Sequence, residues 1–360
     1  LEALESLATW NASPFIDRVV GRVRVLKGRN PLAAKSVLRE GFQPVVHRAE
    51  GALRSDLLKL AARHEIEVDQ SILAEWVISD GMEPATRVRA LARLTDSNDP
   101  GLLEIIGAVI SSEHIDLRIQ AMRSWALVNQ SQFIDYFNMN SSEWSVAEKQ
   151  IALDLLGGMH TERSADILRD LMMDLQQGSL DSSLELDLLT ASVKHGDAEL
   201  KFQVKTYRET RSETYPPGLL QGGHYDRGRI IFDDHVAGQC IRCHDAGGAD
   251  KQVGPALKGI GQTRDRAYLL ESLVNPSAAL AEGYALTMIG LKEGGAQAGR
   301  VVTETSTDLT FIKVTGETVR YDKSDVMTRT VVKASSMPPM LGILTPFELR
   351  DLVEFLVTWE

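Results

Sequence analysis

The stretch Gln239-Cys240-Ile241-Arg242-Cys243-His244 decides how this chain is read. Its two cysteines are the only ones among 360 residues; two residues separate them and a histidine follows directly. C-x-x-C-H is the attachment signature of c-type haem. Two thiols about one helical turn apart can each form a thioether with a haem vinyl group, and the next residue sets an imidazole beneath the iron as an axial ligand. Cys240, Cys243 and His244 are therefore expected to hold one covalent haem (heme c), with His244 on the iron. Two other chemistries use such a pair. A redox dithiol wants a βαβ context, whereas the flanking sequence reads as helical. A structural zinc site wants a second cysteine pair, and the chain has no further cysteine.

Outward from the motif, Asp226 reads as the N-cap of a short amphipathic helix, Arg227-Gly-Arg-Ile-Ile-Phe-Asp-Asp-His235. On the other side a Gly-rich loop runs from His244 to Val253-Gly-Pro-Ala-Leu-Lys-Gly-Ile-Gly261. Pro255, or the carbonyl next to it, is expected to accept the second N–H of the imidazole and so set its tautomer and basicity. Leu257 and Ile260 are expected to pack on the porphyrin face. A helix over 265–274 ends at Asn275-Pro276. From about 284 to 332 the period changes to that of short strands, Leu286–Leu291, Gly299–Thr303, Leu309–Val314 and Thr318–Tyr321, which reads as a small antiparallel β-meander. Ser336-Met337-Pro338-Pro339-Met340 follows, and Thr345-Pro346-Phe347-Glu348 opens the last helix with a capping box. A soft thioether on a proline-stiffened loop just ahead of that helix is the expected sixth iron ligand. Met337 is the first choice and Met340 the second.

These segments taken together, Gly228–Phe232, Cys240–His244, Val253–Ile260, Tyr268–Ser277 and Ser336–Pro338, resemble one family. It is the cytochrome c-like haem-binding domain of planctomycete and verrucomicrobial proteins. The resemblance spans 226–360 and implies a class I cytochrome c-like helical domain with a β insertion. In that family the module often follows a helical-repeat segment and a β-propeller resembling sugar dehydrogenases, which implies a catalytic domain upstream of Leu1. Family members commonly have a shorter approach to the first cysteine than His235-Val-Ala-Gly-Gln239 provides here.

The first two hundred residues read as helix after helix. Arg87-Val-Arg-Ala-Leu-Ala-Arg-Leu94, Arg118-Ile-Gln-Ala-Met-Arg-Ser-Trp125 and Lys149-Gln-Ile-Ala-Leu-Asp-Leu-Leu156 align, and their starts at 87, 118 and 149 are evenly spaced. Ala90, Ala121 and Ala152 share one phase, and Leu91, Met122 and Leu153 the next. Small residues at one phase let neighbouring helices approach; bulky ones at the next fill the space between them. A two-helix unit at this period is the signature of an α-solenoid and resembles HEAT repeats, though shorter; an irregular bundle is the other reading. The expected organisation is mainly α: a HEAT-like segment over 1–205, a linker over 206–225 marked by Tyr215-Pro216-Pro217-Gly218, and the haem domain over 226–360. His47, His64, His114, His160 and His195 show no metal-ligand spacing and read as surface or core residues.

A net charge of −11 argues against nucleic acid as a partner, because phosphate binding needs a basic face. No apolar run has the roughly 20 residues that span a bilayer. Haem attachment to C-x-x-C-H normally takes place outside the cytoplasm, so a periplasmic or otherwise extracytoplasmic site is expected. The expected function is electron transfer: a His/Met-ligated cytochrome relaying electrons from a fused or partner dehydrogenase, sugar oxidation being one case, to a respiratory acceptor. This chain is expected to be the relay rather than a catalyst by itself. The alternative is a haem enzyme or small-ligand sensor in which the sixth ligand is labile.

Overall fold

The computed structural model describes Leu7, Trp10 and residues 30–97, 99–210, 216, 218–244 and 253–360, apart from the side chains of Pro31, Leu32 and Ala34. The described residues are mainly helical, with fifteen α-helices and one five-stranded antiparallel sheet. None of the described helices is long and apolar enough to cross a membrane. The chain divides into two compact units, residues 1–144 and 145–360.

The first unit contains α1 (Pro31–Arg48), α2 (Ala52–His64), α3 (Gln70–Ile78), α4 (Pro84–Asp96), α5 (Leu102–Val109), α6 (Ile115–Val128) and α7 (Gln130–Asn140). Local signals start several of them. Asp69 caps α3 by accepting from Ser71 N, Pro84 occupies the first turn of α4, and Asn129 caps α7 by accepting from Gln132 N. Helices pack on near neighbours in the chain, either adjacent or one removed, as α4 does on α2, α3 and α6. Ala90 and Ala121 are fully buried and Leu91 and Met122 nearly so, which lets the helix backbones approach while the larger side chains fill the gaps.

The second unit begins with four more stacked helices, α8 (Val146–Met159), α9 (Glu162–Gln177), α10 (Glu185–His195) and α11 (Ala198–Glu209). Ala152 and Leu153 of α8 are buried like their counterparts in α4 and α6. After these come α12 (Tyr225–Asp234), α13 (Cys240–Cys243), α14 (Arg266–Val274), the sheet, and α15 (Pro346–Thr358). The boundary expected at 206–225 is therefore not where the chain divides. Residues 211–215 and 217 of that segment lie outside the described residues, but the rest of its C-terminal half is packed. Gln150 donates to the carbonyls of Ser183 and Gly222, at 3.0 and 2.9 Å. Leu186 of α10 and Leu219 share one apolar core with Phe232, Leu352 and Phe355. Arg350 of α15, 1% exposed, forms a buried ion pair with Asp187 of α10. Burial pushes the Asp187 carboxyl up, with the facing guanidinium pulling it back down. A buried charge deprived of its partner is far costlier than the pair, so this contact commits α10 to the C-terminal helix.

Helix α12 starts at Tyr225 with His224 as its N-cap, slightly ahead of the expected Asp226 cap. It crosses α15 at a very close approach. A Cβ on Gly228 would lie 2.0 Å from the Asp351 carbonyl oxygen, so only glycine fits. Phe232, Phe355 and Trp359 interlock there, Phe355 stacked on Trp359 at 4.8 Å and Phe232 edge-on to Trp359 at 5.4 Å between ring centroids. Such offset and edge-on arrangements suit the ring quadrupoles. The helix expected over 265–274 is α14, capped by Asp265 accepting from Tyr268 N at 2.8 Å. The capping box read at Thr345 and Glu348 is present at the start of α15.

The β segment comprises β1 (Leu286–Leu291), β2 (Ala296–Glu304), β3 (Asp308–Lys313), β4 (Thr318–Asp322) and β5 (Val326–Val332). Its order is β4-β3-β2-β1-β5. The first four strands form the expected meander. The fifth does not continue it: β5 returns across the sheet to pair with β1, Thr287 opposite Val331 and Met288 opposite Thr330. The turn Lys323–Asp325, anchored by Lys292 N donating to the Asp325 carbonyl at 2.8 Å, makes that return.

Candidate functional site

Cys240–Cys243 forms a single helical turn. Gln239 caps it in the left-handed conformation, φ +46°, a strained choice for a residue with a Cβ. The turn closes through His244 N donating to the Cys240 carbonyl at 2.9 Å, and Gly254 N donates to the Cys243 carbonyl at 3.0 Å. His244 Nδ1 lies 2.8 Å from the Pro255 carbonyl oxygen. A carbonyl only accepts, so Nδ1 carries the hydrogen, and Nε2 is the nitrogen with a lone pair to offer a metal. Gly254 makes this possible: a Cβ there would sit 2.8 Å from Cε1 and 3.0 Å from Nδ1 of His244. The Val253-Gly254-Pro255 backbone is thus a cradle shaped to the imidazole. Residues 245–252, most of the Gly-rich loop between His244 and this cradle, lie outside the described residues.

The remaining site residues collect on one apolar cluster. Cys240, Leu257, Ile260 and Met337 are all half-buried against the core formed by Phe232, Leu270, Leu352 and Leu356. The segment carrying Ile260 is held to the last helix by Gly259 N donating to the Trp359 carbonyl at 3.0 Å. The two candidate methionines differ. Met340 is 3% exposed, donates its N–H to the Leu273 carbonyl at 2.8 Å, and accepts from Ile343 and Leu344 N, so its residue is committed to the core. Met337 is half-buried, with its N–H on Ser335 Oγ at 3.0 Å, in a loop whose next two residues are exposed prolines. Of the two, Met337 has the side chain that can be given to an iron without emptying the core.

The environment of Cys240 does not favour its thiolate. Burial pushes the Cys240 thiol up, with Cys243 beside it adding to the effect, whereas an attacking cysteine needs its thiolate favoured. Nor do the two thiols assemble a metal site of their own: among the described residues no group of three or more His, Cys, Asp or Glu side chains could hold an ion. A haem asks for something else. Its porphyrin supplies four nitrogens, and the protein need add only axial ligands, thioether anchors and a dry crevice. Two thiols on one turn, an imidazole oriented through Nδ1, and a half-buried thioether on the same apolar cluster fit that requirement.

Two contributors are not evident from the sequence. Gly254 is visible only as a glycine ahead of Pro255, and nothing local announces a ring packed on it. His235 reads as the end of a helix; in the structure its Nδ1 accepts from Gly238 N at 2.8 Å. No protein-family model matches the chain, and no match was found among curated proteins.

Proposed function

We propose that this chain is an electron-transfer module of the c-type cytochrome kind, working outside the cytoplasm with a fused or partner dehydrogenase as donor and a respiratory acceptor. Cys240 and Cys243 would hold one haem through thioethers, and His244 Nε2 and Met337 Sδ would be the protein's ligands to its iron. When bound, haem supplies a one-electron couple between Fe(II) and Fe(III). The observation that carries the reading is the His244 Nδ1–H···O=C bond to Pro255 across Gly254, built directly beside the two thiols.

The residues have separable tasks. The Pro255 carbonyl holds the imidazole plane and, by accepting its proton-bearing side, raises the basicity of Nε2. Leu257 and Ile260 contribute apolar surface that would keep water from the ring. Met337, a soft ligand, would favour the reduced iron and raise the potential relative to a second histidine. The stacked helices of each unit, α1–α7 and α8–α11, fit HEAT-like repeats and offer extended surface for a partner rather than a reaction centre.

The test is expression of the full chain in a host with c-type haem maturation, followed by absorption spectroscopy. The expected result is a haem spectrum that survives denaturation and solvent extraction, absent when Cys240 and Cys243 are both serine. The oxidised protein should show a Met–Fe(III) charge-transfer band that Met337→Ala removes and Met340→Leu leaves intact. Ready binding of CO or cyanide by the unmodified protein would instead favour a ligand-sensing or catalytic haem.

A further inference from the structure

The long approach to Cys240 is closed on itself by one side chain. Helix α12 ends at Asp234, and His235 opens the turn Val236–Gly238. Its Nδ1 accepts from Gly238 N at 2.8 Å, and its carbonyl accepts from Gln239 N at 3.0 Å. Gln239 must take φ +46° for the next residue to start the attachment turn. That conformation is held by three more bonds. Gln239 Nε2 donates to the Val236 carbonyl at 2.9 Å. Arg242 donates both from Nη1 to Gln239 Oε1 at 2.7 Å and from its backbone N to the Gln239 carbonyl at 3.0 Å. The other edge of the His235 ring faces α15. Its Nε2 lies 3.5 Å from Oε1 of Glu348, whose Oε2 is occupied by the backbone N and hydroxyl of Thr345, both at 2.8 Å. Because a backbone N–H only donates, Nδ1 must be unprotonated and the hydrogen sits on Nε2, toward the carboxylate.

We propose that His235 is a positioning residue for haem attachment: its Nδ1 locks the Val236–Gln239 turn and so sets where Cys240 presents its thiol. The inference rests on the cytochrome reading above. Five residues, His235–Gln239, separate α12 from the attachment turn. A connection of that length has conformations to lose, and the His235–Gly238 bond removes some of them before the thioether forms. His235 touches none of the reacting atoms; it acts through the turn.

Two variants separate this role from simple stability. In His235→Asn the amide oxygen can take the place of Nδ1 as acceptor; in His235→Phe nothing can. Expressed as the full chain with c-type maturation, His235→Phe should carry covalent haem at roughly a fifth to a tenth of the wild-type amount per polypeptide, the scale of one lost hydrogen bond. His235→Asn should stay within about twofold of wild type on the same scale. Amide exchange in the apoprotein gives a readout independent of haem: Gly238 should be protected in wild type and His235→Asn and unprotected in His235→Phe. Equal haem loading in His235→Phe and wild type overturns the inference, as does His235→Asn loading no better than His235→Phe. A wild-type chain that takes no covalent haem overturns instead the reading on which it rests.

Discussion

Two small cores in the second unit are built on opposite terms. Around α15 backbone meets backbone: Gly228 of α12 sits against the Asp351 carbonyl, and Gly261, in the turn Ile260–Gln262, would place a Cβ 1.9 Å from the Val357 carbonyl. Helix α15 also carries a buried ion pair, Arg350 on Asp187 of α10. In the sheet the fully enclosed apolar residues are few, Ile289, Leu309, Phe311 and Ile312, and the outer strand β5 is exposed along almost its whole length. Its charges lie at the surface, with Glu304 between Lys323 and Arg329. The difference teaches that the helical crossing, which carries the cysteine turn and the last helix, depends on fit, while the sheet depends on its backbone ladder. Substitutions should therefore be felt unequally.

The largest effect is expected at the buried ion pair. Arg350→Met strands Asp187 and should cost about 3–5 kcal/mol in denaturant unfolding of the second unit, and Asp187→Leu combined with Arg350→Met should regain most of it. A double variant no better than the single would show that the pair itself, rather than its isolated half, sets the stability. Next comes Gly228→Ala, which forces a methyl into the Asp351 carbonyl; about 2–3 kcal/mol should be lost, read from the same melts, with covalent haem falling in parallel.

Acid should also separate the two cores. Burial pushes the His224 imidazole below its usual range, with Arg227 adding to the shift. A depressed folded value means the neutral form is favoured, so this contribution is present above about pH 6.5 and drains as pH falls through the lower folded value. The urea midpoint of the second unit should decline from about pH 7 to about pH 5, and His224→Gln should flatten that slope. Glu304 behaves oppositely in range: hydrogen bonds from Lys323 and Arg329 hold its carboxyl down at about 2. Its ion pairs should survive to far lower pH, with the Glu304 carboxyl carbon titrating by NMR near that value. The smallest effect is expected from Glu304→Gln at neutral pH. Solvent screens so exposed a group, and its thermal melt should coincide with wild type.

Legibility in the sequence follows the range of the interaction. The capping box at Thr345, the Asp265 start of its helix and the strands of the meander are readable or nearly so, because each depends on residues close together in the chain. The box at Ser145 and Glu148 is equally local, and the repeat that follows it masks it. The return of β5 to β1 is not readable, since pairing between strands so distant in the chain leaves no local periodicity of its own. The boundary fails for a related reason. Tyr215-Pro216-Pro217-Gly218 reads as a break between domains, yet Asp187 and Arg350, 163 positions apart, bind the two sides together.

What the amino-acid sequence determined by itself was chemistry: two thiols and an imidazole at fixed spacing, a methionine among prolines, and helices that begin where caps allow. Those are properties of neighbouring residues and survive any arrangement of the rest. The tertiary structure alone decided how that chemistry is aimed. It packed Gly254 against the His244 ring, where a side chain would not fit, and closed the turn before Cys240 with His235. Each of these depends on a backbone passing close to a side chain it does not adjoin, and only packing can specify that.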